Sequence, residues 1–116
     1  MRVQPGATIG AVNARLAPLG YKLGPDPASE SAATVGGVVA NNSSGMACGT
    51  EFNSYRTIES MVLVLASGTV VDTGDPDADG LLRQREPDLH DGLIRLRDRV
   101  RAVSYTHLTL PTSDLV

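Results

Sequence analysis

The 116-residue sequence predicts an α+β fold, and three patterns carry that expectation. Ile9, Val12, Leu16 and Leu19 recur at the spacing of one helical face. Thr57 to Leu65 and Thr69 to Thr73 read as two strands joined by Ala66-Ser67-Gly68, a β-hairpin. Leu89, Leu93, Leu96 and Val100 then recur at helical spacing in a second amphipathic stretch.

Taken in order, Arg2 to Gln4 is a short apolar-centred segment stopped by Pro5-Gly6, and it predicts a strand. Thr8 has the residue type and position of an N-cap, and Pro18 and Gly20 end the helix that follows. Tyr21 to Leu23 is expected to be extended, and Gly24-Pro25-Asp26-Pro27-Ala28-Ser29 is rich in turn formers. Thr34 can cap a short helix reaching about Asn41, with Val35, Val38 and Val39 on one face. Gly36 and Gly37 inside that helix each cost about 1 kcal/mol relative to alanine. Close approach of a neighbour to the backbone is the usual reason for keeping them. The strand from Thr57 is apolar on both faces near its end, which predicts a central position in a sheet. Gly74 to Asp79 reads as an acidic linker, followed by a helical stretch from Arg83 to Arg101 that holds six of the ten basic residues. A solvated amphipathic helix accounts for that stretch better than a basic binding surface.

Composition excludes several functions. With 41% hydrophobic and 20% charged residues, the chain is an ordinary globular protein of one domain at most. No apolar run approaches the ~20 residues of a membrane span. One cysteine forms neither an internal disulfide nor a thiolate-rich metal site. A net charge of −3, with no basic cluster interleaved with aromatics, argues against nucleic acid. The first six residues carry no apolar signal-peptide core.

Three isolated features are weighed against simpler readings. Asp75, Asp77, Asp79, Gly80 and Glu86 have the spacing of an EF-hand loop. Arg83 and Arg85 would sit beside the ion, however, and a hairpin rather than a helix leads in, so a solvated acidic linker is the expectation. Cys48 has no histidine near it in sequence and is expected to be a small buried thiol. His90 is expected at the surface.

The stretch from Gly24 to Gly49 is the candidate site. It contains no lysine or arginine, and none occurs between Lys22 and Arg56. It lacks the glycine-lysine-serine/threonine of a P-loop and the GxGxxG of a dinucleotide fold. It offers backbone N–H groups at a helix N-terminus near Thr34, glycines that admit a ligand, and serine and asparagine side chains. Those groups hold a pyrophosphate through amide dipoles instead of cations. A flexible Ser/Gly loop explains the same composition equally well.

The order of these segments resembles the FAD-linked oxidases, the flavoproteins with a PCMH-type FAD-binding domain (the vanillyl-alcohol oxidase superfamily). The resemblance rests on Val3-Gln4-Pro5-Gly6, Gly24 to Ser29, Ala33-Thr34-Val35-Gly36-Gly37, Ala40 to Gly45 and the hairpin Leu63 to Val70. Asn41 to Met46, Cys48-Gly49-Thr50 and Asn53 to Thr57 bring it nearest the bacterial D-lactate and glycolate dehydrogenases that carry an iron–sulfur fusion.

The resemblance covers residues 1–102 and implies part of a two-subdomain FAD-binding domain, with a mixed or antiparallel sheet flanked by helices. It implies that Pro25, Asp26 and Ser29 lie along the flavin and ribityl chain. Thr34, Gly36 and Gly37 would contact the pyrophosphate, and Asn42, Ser43, Ser44 and Gly45 would continue that contact. It also implies oxidation of a small 2-hydroxy acid by hydride transfer to FAD, an iron–sulfur cluster elsewhere in the parent protein, and a cytoplasmic location, at most peripheral to the inner membrane.

The family's upstream glycine-rich loop, its substrate-binding cap and its catalytic residues have no counterpart in this sequence. The expectation is therefore a fragment that names no catalytic residue and binds FAD weakly or not at all by itself. Two alternatives are a small non-catalytic binding or structural domain, and another reaction on the same fold, such as that of the cell-wall enolpyruvyl reductases.

Val103-Ser104-Tyr105-Thr106-His107-Leu108-Thr109-Leu110-Pro111-Thr112 resembles the translation of one frame of a transposase sequencing adapter. Residues 103–116 are accordingly set apart from the functional reading, and they are expected not to continue the preceding helix.

Overall fold

A computed structural model describes residues 1–108. Two compact units divide the chain, Met1–Glu59 and the part from Ser60 onward.

In the first unit, helix α1 spans Ile9–Leu16. Thr8 caps it in extended conformation, its side chain accepting a hydrogen bond from the Ala11 N–H at 3.2 Å. A 3₁₀ turn, Ala17–Leu19, follows with Pro18 near its start. Gly20 closes that turn in the left-handed region, with φ of +76°. Only Ile9 and Val12 of the predicted apolar face are buried; Leu16 is half-buried and Leu19 exposed. Helix α2 spans Val35–Ala40 with Thr34 as its cap, as the sequence predicts. An isolated antiparallel bridge ties the two caps, Thr8 and Thr34, together. Helix α3, Ser54–Thr57, is a single turn capped by the Asn53 side chain. Ile9, Val12, Val38 and Cys48 form the buried apolar core of this unit, with Pro25 also buried.

Two expectations for this unit are corrected. Arg2 to Gln4 forms no strand. Its continuation instead supplies carbonyls to α2, with Pro5 accepting from Gly36 N–H and Ala7 from Val35 N–H. Thr57 belongs to α3 and not to a strand, because Asn53 accepts the Arg56 N–H and starts a helical turn there.

The second unit opens with an antiparallel hairpin, β1 (Val62–Val64) and β2 (Val70–Asp72), with Leu63 opposite Val71. The turn lies where predicted, and Gly68 adopts a φ of +88°. The strands are shorter than expected. Among the described residues β1 pairs only with β2 and its three side chains are exposed, so the expectation of a central strand is not met. Helix α4 spans Ala78–Arg85 and α5 spans Pro87–Leu108. The single predicted helical stretch is thus two helices. Pro87 occupies the first position of α5 and bars Glu86 from helical geometry, leaving it at φ −136° and ψ +58°. The acidic linker is shorter than expected, because α4 begins at Ala78.

Helix α5 runs on through Val103 to Leu108, so the segment resembling adapter sequence does continue the helix. The His107 side chain and residues 109–116 lie outside the described residues. No helix among the described residues is long and apolar enough to cross a membrane.

Glu86 ties this unit together. Its carboxylate accepts hydrogen bonds from the Ser67 and Thr69 hydroxyls at the hairpin turn, the latter at 2.6 Å. Those two bonds outweigh partial desolvation and hold its pKa below the usual glutamate range. A carboxyl with a depressed folded-state value stabilises the fold above its unfolded value and loses that contribution as pH falls through the folded one. Glu86→Gln is therefore expected to lower Tm near neutral pH and to flatten the fall of Tm on acidification. Thermal melts at pH 7 and pH 3.5 check this; an unchanged Tm at both would contradict it.

Candidate functional site

The candidate residues all lie in the Met1–Glu59 unit, on the segment from Pro25 to Gly45. Pro25 is buried, Asp26 half-buried and Ser29 exposed. The Ser29 carbonyl accepts the N–H groups of Ala32 and Ala33, both at 2.8 Å, and so turns the chain toward Thr34.

The expectation of open amides at the start of α2 is corrected. Val35 N–H donates to Ala7 O at 2.8 Å, and Gly36 N–H donates to Pro5 O at 2.9 Å. Gly37 N–H donates to the Thr34 hydroxyl oxygen at 3.3 Å. The chain's own N-terminal segment therefore occupies the donors that a pyrophosphate would need. It also explains Gly36, since a Cβ there would come within 2.8 Å of Pro5 Cβ. The close approach inferred for this glycine is real, and the neighbour is protein.

The next turn behaves differently. Asn42 sits in the left-handed region with φ of +45°, which asparagine tolerates better than most residues. Its Oδ1 accepts the Tyr55 N–H at 3.0 Å. Ser43 is committed to the fold, with its N–H on Val38 O and its carbonyl accepting both Ser54 N–H and Ser54 Oγ–H. Ser44 and Gly45 carry the free donors. The N–H groups of both, and the Ser44 hydroxyl, donate to nothing among the described residues. The Thr34 hydroxyl proton and the exposed Ser29 hydroxyl are likewise uncommitted.

Asp26 forms the back of this loop. Its N–H donates to Ser44 O at 3.2 Å. Its two carboxylate oxygens accept Ala47 N–H at 3.1 Å and Cys48 N–H at 3.3 Å. Gly45 lies so close that a Cβ there would fall 1.8 Å from Asp26 Oδ1 and 2.5 Å from Asp26 O. Partial desolvation raises the pKa of this carboxyl. The two amides and the charge of Lys22 together outweigh it and hold the group below the usual aspartate range. Cys48 is buried as expected, its thiol donating to Gly49 O at 3.3 Å. An open groove of about 490 Å³ beside it is lined by Lys22, Leu23, Gly24, Ala47, Phe52 and Thr57.

Sequence reasoning missed Ser54. It is 3% exposed, and its hydroxyl donates to Val38 O at 3.1 Å and Ser43 O at 2.8 Å, joining α2, α3 and the Asn42–Ser43 turn. Its position just after a capping asparagine is the signal that marks it. His90 was also misplaced. It is 4% exposed, with its ring nitrogens 3.1 Å from Asp79 Oδ1 and Asp91 Oδ1. Asp79 and Glu86 thus have partners of their own, and no cluster among the described residues could hold a metal ion.

The donor set suits a phosphate ester or pyrophosphate held without cations: two neighbouring backbone amides and a serine hydroxyl on a fixed loop. FAD presents such a group; the Ser44 and Gly45 amides are open to one, whereas those of Val35, Gly36 and Gly37 are hydrogen-bonded within the chain. The family model described as an FAD binding domain matches residues 1–74. No curated protein and no solved structure matches the chain. The match spans well over half of the sequence and includes every candidate residue, so the chain belongs to the FAD binding domain family and its ligand is FAD.

Proposed function

We propose that the chain is the cofactor-holding part of a flavin-dependent oxidoreductase acting on a small 2-hydroxy acid of the D-lactate or glycolate type. Membership of the FAD binding domain family supports the flavin chemistry. The order of motifs from Asn41 to Thr57 supports the substrate class. Bound FAD supplies the acceptor for the hydride that the substrate's carbinol carbon gives up. The chain's own part is to hold: Ser44 N–H, Ser44 Oγ–H and Gly45 N–H donate to the pyrophosphate. Thr34 and Ser29 offer further hydroxyls, and Pro25 and Asn42 shape the turns that carry them. In this reading Gly36 and Gly37 serve by letting the N-terminal segment and the Thr34 cap close on α2. The motif resemblance is likewise the support for an iron–sulfur acceptor elsewhere in the protein and for a cytoplasmic location. Residues 1–102 carry this assignment, and residues 103–116 we attribute to adapter-derived sequence.

The carrying observation is the uncommitted donor set at Ser44 and Gly45, beside first-turn amides of α2 that are all in use. A few neutral hydrogen bonds, each with a net value of about 1 kcal/mol, give weak binding at best. A flavin-fluorescence titration of the full chain is expected to show a Kd of order 1 mM, equivalent to about −4 kcal/mol. Ser44→Ala is expected to weaken it by roughly fivefold. A Kd in the low micromolar range, or a Ser44→Ala variant that binds like the parent, would contradict this assignment of the contacts.

A further inference from the structure

The residue that most constrains the proposed contact loop does not belong to it. Asp26 stands between two prolines. Pro25 fixes its own φ near −65°, and Pro27 restricts the residue before it to extended geometry. The aspartate is therefore presented by a stiff extended segment rather than by a mobile loop. At that segment three hydrogen bonds cross about twenty residues of sequence, from Asp26 N–H to Ser44 O and from the Ala47 and Cys48 N–H groups to the carboxylate. The Cα of Gly45 rests against the same carboxylate, in a space that no side chain could share.

Charge argues in the same direction. An anion facing a pyrophosphate would repel it. Both oxygens of Asp26 are instead turned to Ala47 and Cys48, while the free amides belong to Ser44 and Gly45. One short loop thus divides its donors between an internal carboxylate and an external ligand. The charged and titratable groups near Asp26 are Lys22, which favours its ionised form, and Cys48, whose thiol donates to the Gly45 and Gly49 carbonyls.

We infer that Asp26 is a positioning residue, which sets the shape of the Ser44–Cys48 loop from behind and makes no contact with the cofactor. This rests on the reading that Ser44 and Gly45 meet FAD, and it revises the expectation that Asp26 itself lies along the flavin. The carboxylate does in the absence of ligand what ligand binding would otherwise have to do. It aligns the loop's donors beforehand, so the ordering cost is not charged against affinity.

Amide-resolved NMR of the full chain tests this without any catalytic assay. In the parent, the Ala47 and Cys48 amide resonances are expected to follow one common titration, with a midpoint below the ordinary aspartate value of about 3.9. In Asp26→Asn that titration disappears, and hydrogen exchange at Ala47 and Cys48 quickens about tenfold, the measure of a lost charge-assisted bond. The Ile9 and Val12 resonances stay in place. With FAD added, the parent's titration midpoint is unmoved, because the cofactor does not touch the carboxylate.

An FAD-dependent shift of the midpoint would overturn the inference, as would unchanged exchange at Ala47 and Cys48 in Asp26→Asn. Should Asp26→Asn not fold, the parent's titration with and without FAD still decides the matter. If FAD perturbs no resonance in either protein while the Asp26-dependent exchange persists, the loop-setting role stands and the cofactor assignment of Ser44 and Gly45 falls.

Discussion

Gly45→Ala is expected to destabilise the Met1–Glu59 unit by about 3 kcal/mol, as overpacking at a site that cannot relax does. The added methyl would overlap Asp26 Oδ1 at 1.8 Å and Asp26 O at 2.5 Å. The side chain could swing away only by releasing the Ala47 and Cys48 amides. The carbonyl could move only by displacing the segment that Pro25 and Pro27 stiffen. Either route undoes the loop that presents Ser44. Gly20→Ala is a useful comparison, since nothing lies within 4 Å of its Cβ position and only its positive φ of +76° opposes the change. That should cost about 1 kcal/mol. Urea unfolding followed by circular dichroism checks both; a Gly45→Ala loss no larger than that of Gly20→Ala would contradict the close approach.

Ile9→Ala is expected to cost a further comparable amount, about 3 kcal/mol, in the same unit. Ile9 is 1% exposed, the most completely buried large side chain, and it stands in the first turn of α1 with its N–H on Ala33 O at 2.9 Å. Deleting three carbons there removes burial and opens a cavity between the segments that carry Thr8 and Thr34. Leu19, on the same predicted face, is 69% exposed, and Leu19→Ala should change stability by less than about 0.5 kcal/mol. The same urea titration distinguishes them, and equal effects at the two positions would contradict the burial pattern.

That contrast shows how far the sequence was legible. Local chemistry announced itself: the caps at Thr8 and Thr34, the left-handed stops at Gly20 and Gly68, and the hairpin turn all rest on residues within four positions of one another. Periodicity identified the face of α1 but not its depth, because burial at Ile9 and exposure at Leu19 are decided by which distant segments cover them. The break at Pro87 was written in the sequence and outweighed by the helical spacing around it.

Partnerships across long separations were not legible. Nothing near Glu86 shows that it will reach Ser67 and Thr69, and nothing near His90 shows that Asp79 will bury it. The site follows the same rule. Its residue types were compatible with a cation-free pyrophosphate loop and equally with a flexible Ser/Gly loop, and the family match over residues 1–74 supports FAD as the ligand. Which amides remain free was set by the chain's N-terminal segment, whose Pro5 and Ala7 carbonyls cover the start of α2 and leave Ser44 and Gly45 as donors.

The most direct test of this account is an amide-resolved NMR map of the full chain titrated with FAD to a few times its expected Kd of order 1 mM. The account predicts that the Ser44 and Gly45 amides shift most, with Val35, Gly36 and Gly37 nearly still because their donors are already taken. A map in which the first turn of α2 responds and Ser44 and Gly45 do not would contradict it.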